Sequence, residues 1–284
     1  TTPPPPCPYH RLFPLKRDTS WSRIDPLPHL PAQVNYTATH ARHLRQSTVA
    51  QARQIAAHGL FQLVDSRREA LCDIYESIGG NRWMTSFVRL GGIAADLPGG
   101  FSGRVSAFLS TVMRGVAELR AAWDGNGVWL DRARGVGTIG VAEVRSWGLS
   151  GPVARAAGVC CDLRKDEPYS AYEEFDFEVP VGLSGDVYDR YLVRVEELVQ
   201  SCRIINQALR DLPDGDYSTM NENARRPQPG EITTEAASMI HHFKLWMEGH
   251  GIQPPPDADS YLPTESPNGE LGFYIVSDGS DCPY

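Results

Sequence analysis

The longest regular pattern in the chain is a helical one over residues 187–212. Apolar side chains recur there every three or four positions, which places them on one face of an α-helix. These apolar positions are Val187, Tyr191, Val195, Leu198, Cys202, Ile205, Leu209 and Leu212. The polar face carries Asp189, Arg190, Arg194, Glu196, Glu197 and Arg203. At 1.5 Å per residue such a helix is roughly 38 Å long, so we expect it to be a central member of a helical bundle.

The same spacing predicts three further helices, over residues 64–78, 101–123 and 232–249. Asp65 is expected to cap the first, and the Gly79-Gly80 pair to end it. A shorter helix is expected before Gly148, which follows its last residue. The helix over 232–249 is predicted to turn its apolar side chains inward, namely Ala236, Met239, Ile240, Phe243 and Met247.

Two strands are predicted. Phe175, Phe177 and Val179 alternate with acidic residues, which is the period of a half-buried strand. The apolar run 271–276 predicts the second strand, and the proline-rich stretch 253–266 before it is expected to be a connection. The predicted fold class is therefore α+β, mainly α, with a helical bundle and a small β region.

The amino-terminal segment differs in composition from the rest. Nine prolines within residues 1–31 exclude helices and central strands there. We therefore divide the chain into a proline-rich segment, 1–62, expected to be poorly ordered in part, and a folded part, 63–284.

Charge and hydropathy exclude two classes of function. A net charge of −8 disfavours nucleic-acid binding, since that affinity comes from clustered Lys and Arg. No stretch reaches the roughly 18 apolar residues that cross a bilayer, so any membrane contact is expected to occur through partner proteins.

Cysteine and histidine spacing predicts no metal site in this chain. The six cysteines form no CxxC pair, and Cys202, on the apolar helix face, is expected to fill the core. His241 and His242 lack the glutamate of an HExxH motif, and His40 with His43 has no supporting carboxylate or thiolate. The glycine-rich turn GVGTIG, 135–140, lacks a P-loop ending, so it does not predict a nucleotide site.

Several segments together point to a known family. The sequence DLRKDEPYSAYEEFDFEVPVGLSGDVYDRYLVRVEELVQSCRII, 162–205, resembles the 49 kDa-type (D-type) subunit of respiratory complex I, the NADH:quinone oxidoreductase. The segments NRWMTSFVRLGGIAADLPGGF, 81–101, and PNGELGFYIVSDGS, 267–280, resemble it too. The resemblance covers roughly residues 66–284, and the family is related to the large subunits of nickel–iron hydrogenases.

The resemblance implies a hydrogenase large-subunit-like fold and a subunit of a proton-translocating, NADH-oxidising enzyme. Such a subunit helps form a quinone-reduction chamber beside the terminal iron–sulfur cluster of a partner subunit. Arg82, Met84 and Arg89 are expected near that cluster, with Met84 standing where family members often have histidine. The implied partners are the cluster-bearing and membrane-arm subunits, at the cytoplasmic face of the bacterial inner membrane or the equivalent organellar side.

The amino-terminal part departs from the family pattern. In family members an HPxxHG-like turn supplies a histidine at the quinone headgroup, together with a tyrosine and a supporting aspartate. We find no equivalents in this chain, so no catalytic or quinone-binding residue is assigned. The resemblance also implies that the chain stops short of the family's carboxyl-terminal end. The alternative function is a non-catalytic fragment or scaffold of the same fold, with residues 1–62 being native or the product of a splice or reading-frame change.

Overall fold

The computed structural model describes most of residues 58–280. The described residues are 58–82, 87–89, 92–93, 95–169, 172–212, 227–247, 255–256 and 258–280. The predictions for residues 1–57, including His40 and His43, and for Met84 lie outside them.

Helices dominate the described residues. They are α1 (His58–Gly79), α2 (Phe101–Trp123), α3 (Gly127–Ala133), α4 (Val141–Trp147), α5 (Gly151–Ala156), α6 (Leu163–Asp166), α7 (Val187–Arg210), α8 (Pro229–Thr234) and α9 (Ala236–Met247). Two antiparallel hairpins join β1 (Val88–Arg89) to β2 (Gly92–Ile93) and β3 (Ala258–Ser266) to β4 (Gly269–Ser277). The predicted class, α+β and mainly α, is confirmed.

Helix α7 is the central element, as predicted. It packs against α2, α3 and α5, and α1 packs against α2. Asp186 caps α7 by accepting a hydrogen bond from the Asp189 N–H at 2.8 Å. The main core contains buried side chains of α1, α2 and α7 together with the 172–177 segment, including Cys202 as predicted. Full burial of each large apolar side chain stabilises the fold by about 1.5–3 kcal/mol.

Helix α1 begins earlier than predicted. It begins at His58, so Asp65 lies inside the helix and the predicted cap at that position is wrong. Gly80, with φ 69°, follows the last residue, as predicted from the Gly79-Gly80 pair. Gly148 likewise ends α4 in the left-handed conformation, as predicted.

The segment 175–179 is not a strand. Its burial does alternate, with Phe175 and Phe177 in the core and Asp176 exposed. Its backbone, however, is bound by glutamine side chains of α7 instead of a neighbouring strand. Gln207 accepts from the Asp176 N–H at 2.9 Å and donates to the Asp176 carbonyl at 2.7 Å, and Gln200 accepts from the Glu178 N–H at 3.1 Å. The apolar alternation therefore reflects packing on a helix.

The helix predicted over 232–249 is two helices. The chain breaks at Glu235, between α8 and α9. Its apolar side chains are not inward, because in α9 Met239, Ile240, Phe243 and Met247 are 54–63 % exposed. Ala236 is exposed as well. The periodicity predicted helical structure correctly but not the break at Glu235. Within the described residues, no other element covers the apolar face of α9.

The ribbon formed by β3 and β4 is longer than predicted. The apolar run 271–276 lies in β4, as predicted, whereas β3 occupies most of the stretch expected to be a connection. Pro263 did not prevent pairing, since a two-stranded ribbon leaves each strand one edge without a partner, where the missing N–H costs nothing.

The ribbon docks on the helices through a close glycine contact. A Cβ atom added at Gly151 would lie 2.4 Å from the Gly269 Cα, and Gly151 has a φ of 66°. Beside this contact, Ser150 Oγ accepts a hydrogen bond from the Glu270 N–H at 2.9 Å. Only residues without a side chain allow the backbones of α5 and β4 to approach this closely.

We predict that Gly151→Ala destabilises the fold by about 2 kcal/mol or more, because it adds backbone strain and forces the ribbon away from α5. Chemical denaturation followed by circular dichroism measures the change. The matched control is Gly103→Ala in α2, where nothing lies within 4 Å of the added methyl group. It should leave stability unchanged or raise it by up to about 1 kcal/mol. Equal effects at both positions would contradict the close contact.

Candidate functional site: a buried ionic cluster

Five charged side chains meet where α5, α6, α7 and β3 come together. Their residues are only 0–5 % exposed. They are Arg155, Asp162, Arg164, Glu197 and Glu265. Burying charged groups is costly unless they are paired, so this ionic cluster is a specialised feature of the fold.

Arg155 lies at the centre of the ionic cluster. Its guanidinium donates a short hydrogen bond to Glu197 and another, of 2.9 Å, to Glu265. It also donates to the Cys161 carbonyl at 3.0 Å and lies 3.7 Å from the Asp162 carboxylate. One side chain of α5 therefore holds together α7, β3 and the loop before α6.

Arg164 and Asp162 form a separate ion pair within the ionic cluster. Arg164 binds the carboxylate of Asp162 through two nitrogens, at 2.9 and 2.5 Å, in the bidentate geometry that suits guanidinium and carboxylate. Asp162 also caps α6 by accepting from the Arg164 N–H at 3.0 Å. The Arg164 guanidinium stacks over the Phe177 ring at 5.0 Å.

Electrostatics divide the three carboxyl groups into two kinds. Burial disfavours ionisation of Asp162, but the hydrogen bonds and charge of Arg164 outweigh it and lower the Asp162 pKa. For Glu197 and Glu265 burial wins over the charge of Arg155, so both pKa values are raised, that of Glu265 to about 6. Asp162 is therefore a stable anion, whereas Glu197 and Glu265 can hold a proton.

Backbone and tyrosine contacts fix Glu265 in place. The Leu163 N–H donates to its carboxylate at 3.4 Å, and its own N–H donates to the Tyr169 hydroxyl at 3.1 Å. Burial raises the pKa of Tyr169, which keeps this hydroxyl neutral. Glu265 is thus held in position by hydrogen bonds both at its carboxylate and at its backbone N–H.

The ionic cluster was not predicted from the sequence. Glu197 was predicted on the polar face of α7, but it is buried. A second buried row of α7 runs beside the predicted one: Val193, Glu197, Ser201, Ile204 and Ala208. Apart from Glu197 its members are apolar or small, and a single acid within such a row was the available signal. No local sequence pattern indicates that Arg155 and Glu265 interact, since the two residues lie 110 positions apart in the chain.

Arg82, predicted to lie near a partner's cluster, is bound within its own neighbourhood. Its guanidinium contacts Glu69 at 2.5 Å, Asp73 at 2.7 Å and Glu76 at 3.0 Å, all on α1. The hydrogen bonds that Arg82 donates to Asp73, Glu76 and Glu69 raise its pKa. Arg89 lies in β1 opposite Gly92. The predicted placement of Arg82, Met84 and Arg89 beside a cluster stays a prediction.

The glycine-rich turn 135–140 uses its polar groups internally. The Gly135 N–H donates to the Asp186 carboxylate at 2.8 Å, and Arg190 donates to the carbonyls of Gly137 and Gly185. The Gly135 N–H, which in a phosphate loop would donate to the ligand, therefore donates to the Asp186 carboxylate instead. The turn anchors the start of α7.

Metal and membrane signals are both absent from the part of the chain that the structure describes. It contains no group of three or more His, Cys, Asp or Glu arranged to hold a metal ion. Among its helices, none combines the length and hydropathy that crossing a bilayer requires.

Comparison with known proteins identifies the family. The sequence profile described as "Respiratory-chain NADH dehydrogenase, 49 Kd subunit" matches residues 54–284. This chain therefore belongs to the family of 49 kDa subunits of the respiratory-chain NADH dehydrogenase, and its predicted resemblance to the 49 kDa-type (D-type) subunit of complex I is confirmed.

Individual relatives are named as D subunits of the NADH-quinone oxidoreductase. The D-type subunit 2 of the NADH-quinone oxidoreductase from Chloroflexus aurantiacus is 45% identical over 233 residues, covering 81% of this chain and 56% of that protein. Its namesake from Roseiflexus sp. is 44% identical, covering 81% and 55%. The D-type subunit from Wolbachia pipientis is 38% identical over 217 residues, covering 76% and 55%. The chain thus spans about half the length of the curated relatives it matches.

We predict that Arg155→Met destabilises the fold by about 3–5 kcal/mol, since it leaves two buried carboxyl groups without their cation. Arg155→Lys should cost less, because it keeps the charge and loses the two-armed geometry. Unfolding in denaturant measures both.

The control for these variants is Arg120→Met. Arg120 pairs with Glu196 at 2.9 Å, but both side chains are more than a third exposed. Its loss should cost about 1 kcal/mol or less. If Arg155→Met were as mild as Arg120→Met, the ionic cluster would not be central to stability.

Proposed function

We propose that this chain is a subunit of a membrane-associated NADH:quinone oxidoreductase and helps form its quinone-reduction chamber. The observation that carries the proposal is the family match, which extends over residues 54–284 and so includes every described element. In this role the chain shapes the chamber, while the electrons arrive through the terminal iron–sulfur cluster of a partner subunit and quinone is the shared ligand.

The surface of the chain supports a role inside an assembly. Phe243, Trp246 and Met247 of α9 are 60–64 % exposed, and Leu262 and Phe273 of the ribbon are similarly exposed. Apolar side chains grouped on a helix face and on a ribbon are typical of surfaces that partner subunits cover. The proposed partners are the cluster-bearing subunit and the membrane-arm subunits, which would hold the chain peripherally at the cytoplasmic face of the bacterial inner membrane or its organellar equivalent.

A second candidate is a non-catalytic fragment or scaffold of the same fold. It is favoured by the lack of an HPxxHG-like turn in the sequence, so that no residue of the sequence is assigned to protonate quinone at the headgroup. Under this proposal the chain keeps the helical body and its contacts with partners, but contributes no chemistry.

Complementation separates the two proposals. The chain is expressed with an affinity tag in a strain whose own gene for the 49 kDa-type subunit is deleted. Recovery of the cluster-bearing subunit with the tagged chain, together with inhibitor-sensitive NADH:quinone reductase activity, supports the chamber role. Recovery of the subunit without activity supports the scaffold role, and failure to recover it contradicts both. A tagged Arg155→Met variant is the matched control for recovery that needs the folded body.

We predict that, in an assembled complex, Arg89→Gln lowers the midpoint potential of the partner's terminal cluster by on the order of tens of millivolts. A nearby cation favours the reduced, more negative cluster, so removing the cation favours the oxidised form. Redox titration followed by electron paramagnetic resonance measures the shift.

Arg82→Gln should shift the potential less, because three carboxylates of α1 already offset its charge. Arg210→Gln is the control and should shift the potential little, because Asp211 pairs with Arg210 at 2.8 Å and offsets its charge. A potential unaffected by Arg89→Gln would contradict the predicted position of that residue.

A further inference from the structure

We propose that Glu197 and Glu265 form one proton-binding site on Arg155, and that the bound proton keeps the β3–β4 ribbon docked on the helices. This inference rests on the ionic cluster alone and does not depend on the proposed function.

The ionic cluster contains three carboxyl groups but only two guanidinium groups. Arg164 and Asp162 form a bidentate pair with a net charge of zero. Arg155 then faces both Glu197 and Glu265 with a single positive charge. With both glutamates ionised, the ionic cluster would carry a buried net negative charge, whereas one proton shared between them makes it neutral.

Among the residues that the structure describes, the other charged and titratable groups around the site do not remove this excess. Tyr169 meets Glu265 through its hydroxyl and is neutral. Arg194 lies one turn before Glu197 on α7 and senses its charge, but its residue is partly open to solvent, which weakens the effect. Asp162 adds negative charge, which strengthens proton binding at both glutamates.

The direction of the pH effect follows from the raised pKa values. In the undocked chain Glu265 lies in water and has an ordinary pKa, whereas docking raises its pKa to about 6. The docked form therefore binds more protons between the ordinary glutamate pKa and about 6. Its stability is greatest below that window and is lost as the pH rises through it.

Loss of the proton acts on the ribbon because Glu265 is part of it. The excess negative charge is relieved when Glu265 moves into water, and β3 must move with it. The remaining anchors at this end are few: the Glu265 N–H on Tyr169, the Glu270 N–H on Ser150, and the contact of Gly151 with Gly269. Undocking the ribbon is thus the movement that deprotonation favours.

The experiment compares the full chain with Glu265→Gln, Glu197→Gln and Glu270→Gln. Glu270 lies opposite Glu265 in the ribbon register but is exposed, so it is the matched control. Infrared difference spectra between about pH 5.5 and about pH 8 detect protonated carboxyl groups. Hydrogen exchange, corrected for the intrinsic pH dependence of exchange rates, reports protection of the Glu265 and Glu270 amides.

We expect the wild-type chain to lose most of a carboxyl band equivalent to one proton and to lose protection in the ribbon by about fourfold over this range, because a group with a pKa of about 6 is mostly protonated at the lower pH. Glu270→Gln should behave in the same way. Glu265→Gln and Glu197→Gln should each lack the band and keep the ribbon protected at both pH values, because a neutral amide replaces the protonated acid.

Two results would overturn the proposal. One is a wild-type ribbon whose protection does not depend on pH, or a carboxyl band that persists in both buried-site variants. The other is failure of both glutamine variants to fold, since the proposal requires that a neutral residue at either position reproduces the protonated state.

Discussion

The described fold depends on how one guanidinium is buried. Arg155 lies on a short helix, yet it contacts the central helix through Glu197, the ribbon through Glu265 and the loop before α6 through the Cys161 carbonyl. Each partner is a strong acceptor in a region without solvent, where a lost contact is not replaced by water. The arrangement requires the chain to place opposite charges from distant segments within hydrogen-bonding distance.

Much of the helical framework followed from the sequence because its causes are local. Periodicity located α2 and α7 nearly to the residue, and glycines marked the ends of α1 and α4. Family membership followed from long ungapped motifs. The β3 strand and the backbone conformation of 175–179 could not be predicted from the sequence, because both depend on the elements that pack beside them. The same alternation of Phe175 and Phe177 serves a strand or an extended segment bound by Gln200 and Gln207, and only the partner decides between them.

The candidate site was the part least accessible from sequence. Glu197 differs from Glu196 only in which row of α7 it occupies, and a difference of about 100° around a helix separates a buried acid from an exposed one. Arg155 and Glu265 have no neighbours in sequence that mark them. Conversely, the positions singled out by family resemblance, Arg82, Met84 and Arg89, are predicted to face another subunit, and that prediction can be tested only with the subunit present.

The charge count in the ionic cluster also bears on the order in which the chain assembles. Without the ribbon, Arg155 and Arg164 face Asp162 and Glu197, two cations against two anions, so the helices can close around a balanced set while the ribbon is still being synthesised. Glu265 is the fifth member and lies 110 residues from Arg155 in sequence. On the proposal made above, closing the ribbon onto the helical body is therefore coupled to uptake of a hydrogen ion from the surrounding water when the pH is below about 6.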